Sequence, residues 1–186
     1  MKSITKRSIQ GIGITILSIM MLSGCVSLSA VKTDNLASNA KILIMPARDV
    51  VQNGLAHASG KGSGRQLQES VQRRLSAISG YTVIVFEANE QFNHTETIKR
   101  EDAVAEAKKQ GADYCLLLTL GEFRNAAPMT FRSDFATLDG GVLIDVNTNQ
   151  EVWSVKRPYF LEKGNIGNHR VLIETFANDV ARSIAR

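Results

Sequence analysis

Cysteine is scarce in this sequence: Cys25 and Cys115 are the only two in 186 residues, too few for the multi-bridge framework of a small secreted scaffold. The three histidines, His57, His94 and His169, lie far apart and show no H-x₃-H spacing, which excludes a sequence-local zinc site. No apolar run reaches the ~20 residues that a spanning helix needs. A surplus of charge is also missing. The formal charge is +4, but of the 22 Lys and Arg residues three (Lys2, Lys6 and Arg7) sit in residues 1–24, which hold no acid. Residues 25–186 therefore carry 19 bases against 18 acids. A chain so balanced has no electrostatic footprint for a phosphate backbone, and nucleic acid is excluded as a partner. No internal repeat or long low-complexity tract appears. What remains, 44% hydrophobic and 22% charged residues, suits one ordinary globular domain.

The positive charge belongs to a leader. Lys2, Lys6 and Arg7 form a basic start, and Gly11 to Leu22 is an apolar run of about a dozen residues, the length of a signal-peptide core. Small residues Ser23 and Gly24 then precede Cys25. Leu22-Ser23-Gly24-Cys25 resembles the bacterial lipobox, the signature of lipoprotein precursors. That resemblance implies recognition of Leu22, Ser23 and Gly24 by the signal peptidase and cleavage before Cys25. The Cys25 thiol would carry diacylglycerol, and the new amino group a further acyl chain. Several chains, at ~0.8 kcal/mol per buried CH₂, hold a soluble domain on a membrane. Val26 and Ser27 follow the cysteine. The Asp that typically retains enterobacterial lipoproteins in the inner membrane is absent there, so the resemblance implies the outer membrane, with inner-membrane retention as the alternative.

With Cys25 acylated, Cys115 has no intrachain partner. It lies within Tyr114-Cys115-Leu116-Leu117-Leu118 and reads as a small buried hydrophobe. Residues 25–40 read as the lipidated cysteine and a flexible tether, reaching at most ~50 Å when extended. Residues 41–186 read as the folded domain, facing the periplasm.

Within that domain Lys41 to Pro46 is a short apolar strand. Ser63 caps a helix to Ile78, with Leu67, Val71, Leu75 and Ile78 inward and Arg65, Gln68, Glu69, Gln72 and Arg73 mostly outward. Tyr81 to Phe86 is a strand. Arg100 to Gln110 is a helix stopped at Gly111. Asp113 to Phe123 is a strand covered on both sides. Phe131 to Asn147 and Glu151 to Phe160 flank Thr148-Asn149-Gln150 as an antiparallel hairpin, with a bulge or break at Gly140-Gly141. A last helix runs from His169 to Ala185, with Leu172, Phe176, Val180 and Ile184 inward. The order β-α-β-α-β-β-β-α predicts a single α/β domain, a two-layer or three-layer-like sandwich with a mixed sheet of about five strands.

Candidate chemistry is thin. Gly60-Lys61-Gly62-Ser63 approaches a phosphate loop, but Gly54 is one residue too far upstream and Gly62 stands where a hydroxyl must meet magnesium. Nucleotide is excluded on that spacing, while an anion nest at the helix start stays open. Ser63 does not sit in a G-x-S-x-G elbow. Asp134, Asp139 and Asp145 read as solvated carboxylates, not an acid/base pair. No cofactor or catalytic centre is expected. Lys156, Arg157, Tyr159 and Phe160, around Pro158, combine cations with aromatics and form a candidate partner surface; an edge strand protected by charge and Pro is the plainer reading. Arg124 to Arg132 is a comparable connection.

Four segments carry a wider resemblance: KILIMP, Gly62-Ser63-Gly64 before its helix, Gly111-Ala112-Asp113-Tyr114, and Asp145 through Trp153. The last is similar to a "D-x-x-T-G-x-x-L-W" hairpin, with Asn149 where Gly is usual. Together they resemble an uncharacterised family of small bacterial lipoproteins, distantly similar in architecture to the CsgG and LpoB types. The resemblance implies a non-catalytic α/β binding module whose partner is an envelope protein or cell-wall component. A subunit of an oligomeric secretion or envelope-assembly complex is the alternative. The long membrane-inserting hairpin of the CsgG sort is missing from the sequence, which argues against a pore.

Overall fold

The computed structural model describes residues 27–33, 36–50, 60–78, 80–124, 134–163 and 170–186. Ten elements follow in order: β1 (Ala30–Lys32), β2 (Lys41–Ile44), α1 (Ser63–Ile78), β3 (Thr82–Val85), α2 (Arg100–Lys109), β4 (Tyr114–Arg124), β5 (Asp134–Asp145), β6 (Glu151–Val155), β7 (Tyr159–Lys163) and α3 (Arg170–Ala185). The strands form one mixed sheet in the order β1-β6-β5-β4-β2-β3, with β7 added to β5. The α/β class stands, with seven strands in place of about five.

Connection handedness places the helices. β2 runs parallel to both β3 and β4, so the chain steps outward from β2 to β3 through α1 and then returns past β2 to β4 through α2. Right-handed crossovers in opposite directions put their helices on opposite faces. Accordingly Leu67, Val71 and Leu75 of α1 share one core with Ile42, Ile44 and Leu116, while Ala103 and Ala107 of α2 share another with Leu43, Met45 and Cys115. α3 joins α1 on its face through Leu172, Phe176, Val180 and Ile184. From β4 onward the strands pair antiparallel.

Local chemistry explains the element ends. After α2, Gly111 takes φ +61°, its N–H reaches the Lys108 carbonyl, and the Ala112 N–H reaches Ala107. That pair of bonds is a Schellman stop, which needs the left-handed residue glycine supplies. In the β5–β6 turn the Asp145 carboxylate accepts the N–H groups of Asn147 and Thr148, and Asn149 sits at φ 55°. Asn is the side chain that best tolerates that region after glycine, which accounts for its place in the hairpin.

β5 is shared between two neighbours. Its first half, Asp134–Leu138, pairs β7, and Val142, Leu143 and Ile144 pair β6. Opposite β4 the register moves from Gly140↔Thr119 to Leu138↔Leu120, leaving Asp139 as an extra residue. This bulge lies directly before the double glycine where a bulge or break is expected.

Four expectations change. Ala30–Lys32, read as tether, is an edge strand on β6, and Leu36 and Ala40 are buried; three residues without a periodic pattern give no strand signal. Ile78, expected inward, is 47% exposed at the end of α1. Gln68, expected outward, is 1% exposed, and its amide donates to the Ile44 and Phe86 carbonyls at 2.8 and 3.0 Å. Ser63 does not cap α1: its hydroxyl accepts the Val50 N–H, and another residue holds the helix start.

Candidate functional site

That residue is Asp49, fourteen positions before the first residue of the helix. Its Oδ2 accepts the Gly62 N–H at 2.7 Å and its Oδ1 the Gly64 N–H at 2.8 Å. The chain's own carboxylate thus sits where an anionic ligand at a helix start would sit. The glycines serve packing here. A Cβ on Gly64 would lie 1.9 Å from the Ala47 carbonyl oxygen, and one on Gly60 1.3 Å from that of Val50, so the loop 47–50 presses on the backbone of the α1 entry. The Asp49 N–H donates to the His94 carbonyl, and His94 Nδ1 lies 2.7 Å from the Ala47 carbonyl oxygen. Sequence reading misses Asp49 because a capping signal is sought next to the helix. Residues 54–59 of the loop lie outside the described residues.

The other candidates take separate structural roles. Asp145 holds its turn, and the exposed Asp139 side chain lies over Gly121, where a Cβ would come within 2.0 Å of it. The side chain of Asp134 lies outside the described residues, as do His57 and His169. Cys115 is fully buried, and burial pushes its thiol up to about 12, leaving no thiolate for nucleophilic work near neutral pH. Among the described residues no group of three His, Cys, Asp or Glu side chains is placed to hold a metal ion, and no helix is long and apolar enough to cross a membrane.

The segment Lys156–Phe160 divides by face, as strand alternation requires. Tyr159 is 3% exposed; its hydroxyl donates to Asp179 Oδ2 on α3 at 2.7 Å and its ring meets Phe176 edge-on at 5.4 Å. It is a core residue and drops out of the candidate surface. Phe160 faces the other way, 50% exposed, its ring tilted against Phe135 at 6.1 Å. Lys156 and Arg157 are exposed. The Lys156 N–H donates to the Ser29 carbonyl at 2.8 Å, and Ser27, Ser29, Arg157, Pro158, Tyr159 and Phe160 line a groove of about 250 Å³. Leu22, Ser23, Gly24 and Cys25 lie outside the described residues. The proximity of Ser27 to Phe160 has no sequence signal, since it spans most of the chain.

No protein-family model matches this chain, and no curated protein matches it. Solved structures do. The PelC dodecamer from Paraburkholderia phytofirmans is 16% identical, covers 86% of this chain and 98% of its own, and superposes with a TM-score of 0.63; a point variant of it gives 0.64. Lipoprotein GNA1162 from Neisseria meningitidis, 19% identical, covers 78% of this chain and 98% of its own at 0.45. The LpoB C-terminal domain from Salmonella enterica, 15% identical, covers 70% and 88% at 0.40. At such identities it is the PelC superposition that carries weight, and what it establishes is a shared fold.

Proposed function

We propose that this chain is a cell-envelope lipoprotein, lipidated on Cys25 and cleaved between Gly24 and Cys25, whose α/β domain is a non-catalytic interaction module facing the periplasm. The observation that carries this reading is the register of Lys2, Lys6 and Arg7, the Gly11–Leu22 run and Leu22-Ser23-Gly24-Cys25. The site geometry supports its non-catalytic half: Cys115 is held protonated, Asp145 is occupied by its turn, and the helix start is filled by Asp49. Recognition of an enzyme needs nucleophile, base and stabiliser together. Residues Val26 and Ser27 favour the outer membrane. Metabolic labelling with a palmitate analogue tests the anchor. Label is expected on the wild-type chain and lost in Cys25→Ala; equal labelling of both overturns the assignment.

A second reading, a repeating subunit of an envelope assembly, is favoured by one observation: the neighbour that shares this fold over 98% of its length is a dodecamer. The sheet also ends in two different strands, β1 and β3, and a head-to-tail contact between unlike edges gives a ring when its rotation closes and an open filament when it does not. Native mass spectrometry of the acylated protein in detergent decides. A discrete ring supports the subunit reading and a monomer removes it.

A further inference from the structure

We propose that the corner formed by Ser27, Ser29, Lys156, Arg157, Pro158 and Phe160 is a docking face for the lipid bilayer surface. The proposal rests on acylation of Cys25. It goes further by stating which part of the domain meets the membrane and with which side chains.

Chain length makes the first argument. Two peptide units separate Cys25 from Ser27, a span of at most ~7 Å. With acyl chains on Cys25 in the hydrocarbon, its backbone lies among the headgroups, and Ser27 can stand no further off than that span. Ser27 lines the same groove as Arg157, Pro158 and Phe160. Two residues on, the Ser29 carbonyl accepts the Lys156 N–H at 2.8 Å, and Ala30 then pairs Val155. The segment that reads in sequence as a long tether therefore joins the sheet at Ala30, five residues after the anchor, and the corner is held there.

Composition makes the second argument, independent of the first. Phe160 is one of four exposed large hydrophobic residues among those described, and it is the aromatic one. An exposed phenyl ring gains by entering the boundary between headgroups and acyl chains, as the Phe and Leu side chains of an interfacial helix do. The Phe135 ring lies tilted against the flank of Phe160, while Tyr159, its neighbour in sequence, is turned into the core, where it meets Asp179. Lys156 and Arg157 are exposed beside it and suit anionic headgroups. The exposed carboxylate of Glu162 lies two residues along β7 on the Phe160 face, so the local surplus is a single positive charge. A protein or a glycan could also meet cations and an aromatic ring. The bilayer is the occupant whose position the chain's covalent length sets.

The test uses the processed, acylated chain beginning at Cys25 in vesicles of phosphatidylethanolamine and phosphatidylglycerol, some of whose acyl chains carry bromine. Trp153 is the chain's one tryptophan and is buried, so it provides a constant background. Phe160→Trp reports the corner. Ile78→Trp, on an exposed position of α1 next to β3 at the opposite edge of the sheet, is the control. The expected result is loss of the Phe160→Trp emission on vesicle binding, no loss for Ile78→Trp, and a smaller loss when Lys156→Glu and Arg157→Glu accompany Phe160→Trp. Flotation with the vesicles and palmitate labelling read the anchor separately. A chain that floats and is labelled, yet shows no loss or equal loss at the two positions, overturns the docking face and leaves the anchor standing. Loss unchanged by the charge reversal overturns the part assigned to the cations. A chain that takes no label and stays in solution overturns the anchor, and the docking face with it.

Discussion

Asp49 holds Gly64 at the first turn of α1, its Oδ1 accepting the glycine N–H at 2.8 Å from fifteen residues away. A side chain that satisfies orphan N–H groups at a helix start is worth about 1–2 kcal/mol. Asp49→Ala should lower unfolding stability by that amount with the denaturant slope unchanged, measured by urea titration. Because the helix start is already filled, added inorganic phosphate should leave the wild-type midpoint where it is; a midpoint that climbs with phosphate would show a ligand competing with the carboxylate.

Two glutamines on α1 differ sharply in what they satisfy. Gln68 is buried and serves two carbonyls, whereas Gln72 reaches the single carbonyl of Val83 at 3.2 Å in a part-buried setting. Leaving a buried acceptor without its donor costs about 1–3 kcal/mol; the Ile44 carbonyl keeps the Phe86 N–H, but Gln68→Ala takes the amide from the Phe86 carbonyl and should be the more damaging. Comparable losses in thermal or urea unfolding for Gln68→Ala and Gln72→Ala would contradict the pairing described.

Much of this architecture is written in spacing. The four-residue recurrence of Leu172, Phe176, Val180 and Ile184 and the strand–turn–strand around Asn149 depend on neighbours close in sequence, and local pattern reports them well. The misses share one physical cause. β1 exists because β6 offers it an edge over a hundred residues later. Gln68 is buried because its amide bridges the Ile44 and Phe86 carbonyls at two strand ends, and a polar letter on a helix says nothing of that. Tyr159 alternates correctly with Phe160, but only the presence of Asp179 on α3 tells which of the two rings goes inside. For the candidate surface, Lys156, Arg157 and Phe160 were legible as a cluster; their meeting with Ser27 was not.

The pH response should carry the mark of Glu174. Burial alone would raise its carboxyl, but the Ser70 hydroxyl and the charges of Arg73 and Arg74 outweigh it and hold the group below the usual carboxylate range. A folded-state value below the unfolded one means stability that is present above the ordinary glutamate pKa of about 4.3 and lost as pH falls through the folded value. Glu174→Gln should cost on the order of 1 kcal/mol at neutral pH. The gap between the two proteins should close on acidification, as measured by urea midpoints across that window; a gap constant with pH would refute the assignment.

Cys115 should be chemically silent in the folded chain. With its thiol pushed up to about 12 by burial, a Cys25→Ser chain should show no release of thionitrobenzoate from Ellman's reagent at mild alkaline pH. It should react stoichiometrically once unfolded in guanidinium. Since the folded value is the higher one, this group favours the native state below the unfolded thiol range and withdraws that support as pH rises toward 12. Prompt reaction of the native chain would place Cys115 near the surface.

The pairing of β1 with β6 also sets an order of events. The amino-terminal strand emerges first from a ribosome or a translocation pore, yet among the described residues its sheet neighbour is β6, residues 151–155, and the Lys32 ammonium closes on the Ile184 carbonyl, 152 positions away. Contacts so distant in sequence form late. The parallel trio and its two crossovers can assemble while the leading end still dangles, and the last stitch is sewn only when nearly the whole polypeptide has arrived.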